Sequence, residues 1–250
     1  MLKCPHCFKS VKVYKTNSHV IPRFFFKKIK IEGKFIKIAR EENKINEYQT
    51  DLKGDYICDS CEQLFAVDDT YGAKIMIDGK GVTKTLFQGE KAEYLLIKGF
   101  DYEMFKKFLV SIVLRDHYYR KQYSEGAFLS EEELSLYQRE YDSPSLEKLE
   151  ICGYILPSDD PLSRNISPPV PSQDKKGVSF QLLGSNFLIY HQESRFDISK
   201  IKMQKDGSIF FIVRTWEQTG NLKDFDKLYD ELREDSRNAK ELKKIDNKYN

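Results

Sequence analysis

The chain has 250 residues, of which 40% are apolar, 32% are charged and 13% are aromatic, as is typical of a globular protein. It contains no run of about 18 apolar residues and no apolar segment near its N-terminus, so we expect neither a membrane span nor a secretory signal and place the protein in the cytoplasm. Its five cysteines are too few for a disulfide framework in a chain of this length.

The charges are distributed unevenly along the chain. Residues 1–50 contain twelve Lys or Arg and four Glu, a local net charge of +8, whereas the whole chain has a net charge of +2. The remaining 200 residues therefore carry a net charge of −6. A basic N-terminal region favours a polyanionic partner, although a basic face that is only solvated gives the same composition.

Composition and periodicity together predict an α+β protein in four segments. We expect a zinc-binding domain at residues 1–95, a helical segment at 96–156, a proline-rich linker at 157–172 and an α+β domain at 173–250. The linker holds five of the eight prolines of the chain. Because proline has no backbone N–H to donate, we expect no regular element there.

Local patterns predict the elements of the first half. The stretch Ile29–Ile38 has β-branched residues on both sides of Glu32–Lys34, which predicts a hairpin. A short helix should follow Cys61 and end at Gly72. Apolar residues recur at helical spacing over Phe100–Tyr123, which predicts a long core helix.

The second half carries fewer signals. Ser130 and Glu133 have the spacing of a capping box, so an acidic helix should begin there. Asp206–Gly207 is a typical hairpin turn between two β-prone stretches. The charged stretch Leu222–Ile245 predicts a terminal helix.

The cysteines carry the strongest chemical signal in the sequence. Four of them form two Cys-x-x-Cys pairs: Cys4, Cys7, Cys58 and Cys61. Each pair presents two thiolates at a suitable separation for a tetrahedral metal, so the two pairs predict a structural zinc site. His6, within the first pair, should point outward without binding the metal, and Cys152 should be a buried apolar residue.

The region around these pairs resembles a known family. The motifs are CPHC, NSHVIPRFF and YICDSCE, and they are similar to those of HNH endonucleases, also called ββα-metal or His-Me finger endonucleases. A closer similarity is to small bacterial proteins of unassigned function, on the motifs HVIPRFF, CDSCE, DDTYG and FDYEMFKKFLVSIVL. The resemblance covers roughly residues 1–120 and implies a zinc-stapled ββα unit.

The resemblance implies roles for particular residues. His19 matches the general base that activates water for attack on a phosphodiester, and a neutral imidazole suits that task at pH 7. Glu62 matches a ligand of a divalent cation, for which Mg²⁺ or Mn²⁺ would suit a carboxylate. Asp69, or else Asp68, could add a second oxygen ligand from the same helix face. Proteins of this kind often belong to anti-phage defence systems or mobile elements.

Two positions depart from the family pattern. The residue before the histidine is usually a carboxylate that binds the metal, but here it is Ser18, whose hydroxyl is a poorer ligand for a hard cation. Glu62 stands where the family has His or Asn directly after the second cysteine pair. These departures leave two functional hypotheses open: a metal-dependent endonuclease cleaving DNA, and a non-catalytic zinc module that binds nucleic acid or a protein partner.

Basic residues near His19 are candidates for contacts with a nucleic-acid backbone. They are Arg23, Lys27, Lys28, Lys30, Lys34, Lys37 and Arg40. Each hypothesis has a simpler alternative, namely a solvated basic face for these residues, a backbone-bonded polar side chain for His19 and a favourable helix-dipole contact for Glu62. The C-terminal domain is a candidate site for a protein partner, and no motif for a small-molecule cofactor is evident.

Overall fold

The computed structural model describes residues 1–29, 35–39, 44–48, 52–89, 92–123, 126–146, 148–157, 165–194 and 197–215. The helices in these ranges are α1 (Arg23–Ile29), α2 (Asp59–Met76), α3 (Tyr102–Tyr123) and α4 (Glu131–Asp142). The fold is α+β, as the sequence predicts. Within the described residues no helix combines the length and the apolarity needed to cross a lipid bilayer.

The strands lie in one large sheet and three short pairs. The pairs are β1 (Leu2–Lys3) with β2 (Ser10–Val11), β3 (Ser18–His19) with β6 (Lys53–Gly54), and β4 (Phe35–Ala39) with β5 (Lys44–Tyr48). The remaining strands are β7 (Thr83–Gln88), β8 (Glu93–Lys98), β9 (Glu150–Ile155), β10 (Ile166–Pro171), β11 (Gly177–Leu182), β12 (Ser185–Tyr190) and β13 (Ser208–Val213). They form a seven-stranded sheet in the order β10-β11-β12-β9-β13-β8-β7, antiparallel except where β13 runs parallel to β9.

The long core helix and the capping box are confirmed. Helix α3 buries every residue from Phe108 to Tyr118, because it lies between helix α2 and the sheet. At the start of α4 the Ser130 hydroxyl accepts from the Glu133 amide and the Glu133 carboxylate accepts from the Ser130 amide. Both signals are local, so the sequence alone is sufficient to find them.

Helix α2 does not end at Gly72 as predicted but continues to Met76. The glycine serves a close helix–helix contact, because a Cβ atom built on Gly72 would lie 2.5 Å from the Phe108 ring of α3. The contact between α2 and α3 therefore outweighs the low helix propensity of glycine.

Most of the first arm of the hairpin predicted over Ile29–Ile38 lies outside the described residues, and Ile29 itself is the last residue of a helix. Residues Arg23–Ile29 form helix α1, whose Phe25 and Phe26 are buried in the core, and strand β4 pairs with β5 instead. Burial of two phenylalanines on one side of α1 stabilises this helix up to Ile29. The predicted turn at Glu32–Lys34 and the predicted helix at Leu222–Ile245 lie outside the described residues.

The proline-rich segment contains a strand, which corrects the expectation of an irregular linker at 157–172. Among the described residues, strand β10 is an edge of the large sheet and pairs only with β11, with a register shift between Ser167 and Val170 that accommodates Pro168 and Pro169. An edge strand tolerates proline because one side of its backbone needs no partner.

The large sheet contains strands from all four segments that the sequence analysis predicts. Strand β13 lies between β8 and β9, so residues 93–98, 150–155 and 208–213 share one layer. The predicted boundaries at residues 95 and 172 therefore cut across one sheet, because pairing between distant strands leaves no mark on local composition. Whether the segments are separate folding units stays a prediction. The turn at Asp206–Gly207 is present, and in the described part of the chain a single bridge, between Gln204 and Ser208 of β13, joins its two sides.

Candidate functional site

The four paired cysteines converge on one point of the fold. The Sγ atoms of Cys4, Cys7, Cys58 and Cys61 all lie within 4.8 Å of one another. The Sγ–Sγ distances are 3.8 Å between Cys4 and Cys61 and 3.7 Å between Cys7 and Cys58, and all five cysteines of the chain are free thiols.

These distances match a tetrahedral metal site. Four sulfur atoms placed about 2.3 Å from a tetrahedral centre lie about 3.8 Å apart, whereas a disulfide would bring two sulfurs to about 2 Å. The cluster can therefore hold a metal ion, as the spacing of the cysteines predicts.

Two different backbone structures present the thiols. The first pair lies in a tight turn in which the Phe8 amide donates to the Cys4 carbonyl at 2.9 Å and Phe8 adopts a positive φ of 58°. The second pair lies at the start of α2, where Cys58 is the N-cap residue. The helix N-terminus favours negative charge, whereas burial raises the pKa of the Cys58 thiol. The contact with Cys61 lowers the pKa of the Cys4 thiol to about 4.

His6 does not point outward as predicted. Its ring packs between Phe65 and Tyr141, at centroid distances of 4.9 and 5.3 Å, and its Nδ1 atom lies 3.1 Å from the Tyr118 hydroxyl oxygen. Burial lowers the pKa of His6, which favours the neutral ring. His6 therefore anchors the first cysteine pair to helices α2, α3 and α4 and is not part of the thiol cluster.

The strand that carries His19 lies beside the start of helix α2. Ser18 and His19 form β3, which pairs with β6 through Ser18–Gly54 and His19–Lys53, and α2 follows β6 after four residues. Ser18 is fully buried and its hydroxyl donates to the Lys15 carbonyl at 3.5 Å, whereas His19 is half-buried. The Ser18 hydroxyl also opposes the rise in the pKa of Glu62, which lies in the first turn of α2.

Glu62 has the properties of a carboxylate that could accept a further ligand. Its Oε2 atom is buried and has no hydrogen-bond partner among the described residues. Burial raises the pKa of Glu62, and the nearby charge of Arg115 opposes that rise. A buried carboxylate oxygen without a partner is costly, so a cation there would relieve an unfavourable contact.

The Asp69 carboxylate, predicted as a possible metal ligand, is instead paired with Arg115. Both of its carboxylate oxygens accept from Arg115, at 2.9 Å from Nη1 and 2.7 Å from Nη2. A cation bound by Asp69 would have to share that carboxylate with the guanidinium group, so the geometry gives Asp69 a structural ion pair. The alternative ligand, Asp68, is buried on another face of α2, where it accepts from the Tyr141 hydroxyl at 2.5 Å.

Sequence reasoning missed Arg115, which connects three elements of the site. The side chain is 1% exposed, and besides Asp69 it donates from Nη1 to the His19 carbonyl at 3.3 Å and from Nη2 to the Ser111 hydroxyl at 3.1 Å. Although burial opposes a charge there, the Asp69 carboxylate raises the pKa of Arg115. The available signal was an arginine within the apolar stripe of a core helix, since such a charge requires a partner.

No family model, curated protein or solved structure matches this chain. The assignment of roles therefore depends on the chemistry of the residues and on the geometry of the site.

Of the predicted nucleic-acid contacts, Arg23, Lys27 and Lys28 are exposed on helix α1, which begins four residues after His19. Lys37 belongs to β4, and Lys30, Lys34 and Arg40 lie outside the described residues. Arg23, Lys27 and Lys28 thus lie close to His19 in sequence, on a helix anchored in the core by Phe25 and Phe26.

Proposed function

We propose that this protein is a metal-dependent, HNH-like endonuclease that cleaves phosphodiester bonds in DNA. The observation that carries the proposal is the buried Oε2 atom of Glu62, which has no hydrogen-bond partner among the described residues and lies in the first turn of helix α2. The strand that carries His19 pairs with β6, which is separated from that helix by four residues. The proposal also assigns structural zinc to the cluster of Cys4, Cys7, Cys58 and Cys61. A setting in anti-phage defence is proposed on the motif resemblance alone.

Each residue has a defined task in this proposal. His19 removes a proton from the water that attacks phosphorus. Glu62 would hold a divalent cation such as Mg²⁺ or Mn²⁺ through its buried oxygen, and such a cation supplies charge stabilisation to the phosphate oxygens. Arg23, Lys27 and Lys28 contact neighbouring phosphates from α1. Asp69 stays paired with Arg115, which fixes the backbone of His19.

The test is DNA cleavage by zinc-loaded protein with Mg²⁺ or Mn²⁺, comparing the native chain with His19→Ala. Cleavage should fall by at least about a hundredfold, since general-base catalysis contributes that much. Thr16→Ala is the matched control, because Thr16 is exposed three residues before His19, lacks the positive φ of Asn17 and should not take part. Retained cleavage in His19→Ala, with zinc content and melting temperature unchanged, would refute the proposed role.

A second function is favoured by the Arg115–Asp69 pair. With Ser18 in place of a carboxylate and Asp69 paired to Arg115, Glu62 is the one carboxylate in the described part of the site with an unpartnered oxygen. The chain would then be a non-catalytic zinc module that binds nucleic acid or a protein. If Mg²⁺ and Mn²⁺ change neither the melting temperature nor the His19 NMR resonance of the zinc-loaded protein, this second function replaces the first.

A further inference from the structure

The two edges of the seven-stranded sheet differ in their ability to accept another strand. At one edge, β10 carries Pro168, Pro169 and Pro171 and a register shift, which are features that prevent further pairing. At the other edge, β7 is a regular strand that pairs with β8 over six residues without a shift. In the described part of the chain, β7 has a paired strand on one side only.

Strand β7 is also exposed on both faces. All six of its residues, Thr83–Gln88, are exposed, and Leu86 and Phe87 are 58% and 43% exposed. Leu86 lies opposite Leu95 and therefore shares a sheet face with Phe211, whose side chain is in the core. Phe87 lies on the other face, where its ring is 6.3 Å from that of Phe210. The strand therefore offers unpaired backbone groups together with apolar side chains above and below.

We propose that β7 pairs with the β7 strand of a second copy of this chain, which joins the two large sheets into one continuous sheet. This inference does not depend on the proposed nuclease function. An unpaired strand with exposed apolar residues is a template for another strand. Because the opposite edge is blocked by prolines, pairing through β7 closes at two copies and does not extend into a filament.

Symmetry determines the register of this pair. Antiparallel strands in one sheet are related by a two-fold axis perpendicular to the sheet, so a residue can lie opposite only a residue on the same face. With Leu86 on the axis, the Leu86 side chains of the two copies lie against each other. Phe87 then lies opposite Thr85 of the second copy. The register thus removes the exposed leucine from water.

The charges along the edge agree with this register. Lys84 would lie opposite Gln88 of the second copy, and in each copy Gln88 pairs with Glu93 of β8. Lys84 and Glu93 of the second copy therefore lie on the same sheet face, with Gln88 of the second copy between them. Both side chains are long enough for their charged ends to approach each other across Gln88. The symmetry generates this favourable contact twice.

The test is sedimentation velocity on the full zinc-loaded chain at concentrations from about 5 to about 500 µM, because dimerisation follows mass action. The native chain should pass from monomer to dimer over this range. Leu86→Lys places two like charges on the axis and should raise the dissociation constant by at least about tenfold. Val170→Lys is the matched control: Val170 is an exposed apolar residue, 46% exposed, on the blocked edge, and the variant should dimerise like the native chain.

Hydrogen exchange of the native chain gives a readout that requires no substitution. The alternate β7 amides that point away from β8 should become protected as the concentration rises. The proposal is overturned if the native chain stays monomeric throughout, if Leu86→Lys dimerises as the native chain does, or if the protection of β7 is independent of concentration. That last outcome would indicate that another part of the same chain covers the strand.

Discussion

Replacement of Asp69 by Asn should destabilise the protein strongly, because it removes the charge that compensates a buried guanidinium. Arg115 is 1% exposed and Asp69 is 17% exposed, and two hydrogen bonds of 2.7 and 2.9 Å join them. Breaking a buried ion pair by removing one partner costs about 3–5 kcal/mol. Because Asp69 is partly exposed and Arg115 keeps its bonds to Ser111 and His19, we expect about 3 kcal/mol.

A double-mutant cycle measures this coupling in zinc-loaded protein. The free energy of unfolding is obtained from urea titrations of the native chain, Asp69→Asn, Arg115→Met and the double variant. A loss of about 3 kcal/mol corresponds to a fall in melting temperature of about 6–12 °C for a chain of this size. The double variant should be more stable than additivity of the single variants predicts, since it leaves no unpaired charge. A loss below about 0.5 kcal/mol in Asp69→Asn, or additive effects within that error, would refute the reasoning.

Two further predictions concern the metal and the pH dependence. Cys58→Ser should lose the bound metal, measured by metal analysis, and should melt at a lower temperature, whereas Cys152→Ala, outside the cluster, should keep its metal. Burial raises the pKa of Asp116 to about 6, so the folded state holds its proton more tightly than the unfolded state does. The free energy of unfolding should therefore decrease by on the order of 2 kcal/mol as the pH rises from about 4 to about 6. The Asp116→Asn variant should lack this decrease, and identical pH profiles of the two proteins would contradict the prediction.

Local signals account for the parts of the fold that the sequence predicts correctly. The apolar stripe of α3, the capping box of α4 and the two cysteine turns each lie within a few residues, so their physical causes are visible in a short window. The predictions that are wrong involve packing between distant segments. Gly72 indicates a helix end by local rules, but the contact with Phe108 decides otherwise.

In the candidate site, too, the residue types follow from local sequence, whereas their partners depend on distant segments. The motif around His19 and the carboxylate at Glu62 are candidates from the sequence, but nothing local indicates that the His19 strand pairs with Lys53–Gly54, shortly before helix α2. The role of Asp69 also depends on a distant residue, because its partner Arg115 is 46 positions away.

By itself, the sequence determined the thiol ligands, the main helices and the α+β class, because the chemistry of a side chain and the periodicity of a helix are local properties. Only the tertiary structure decided which carboxylate is paired and which keeps a buried oxygen without a partner, as in Asp69 and Glu62. It also decided which edge of the sheet stays open. The physical reason is that ion pairing, burial and strand pairing depend on which distant segments meet, and that is set by the packing of the whole core.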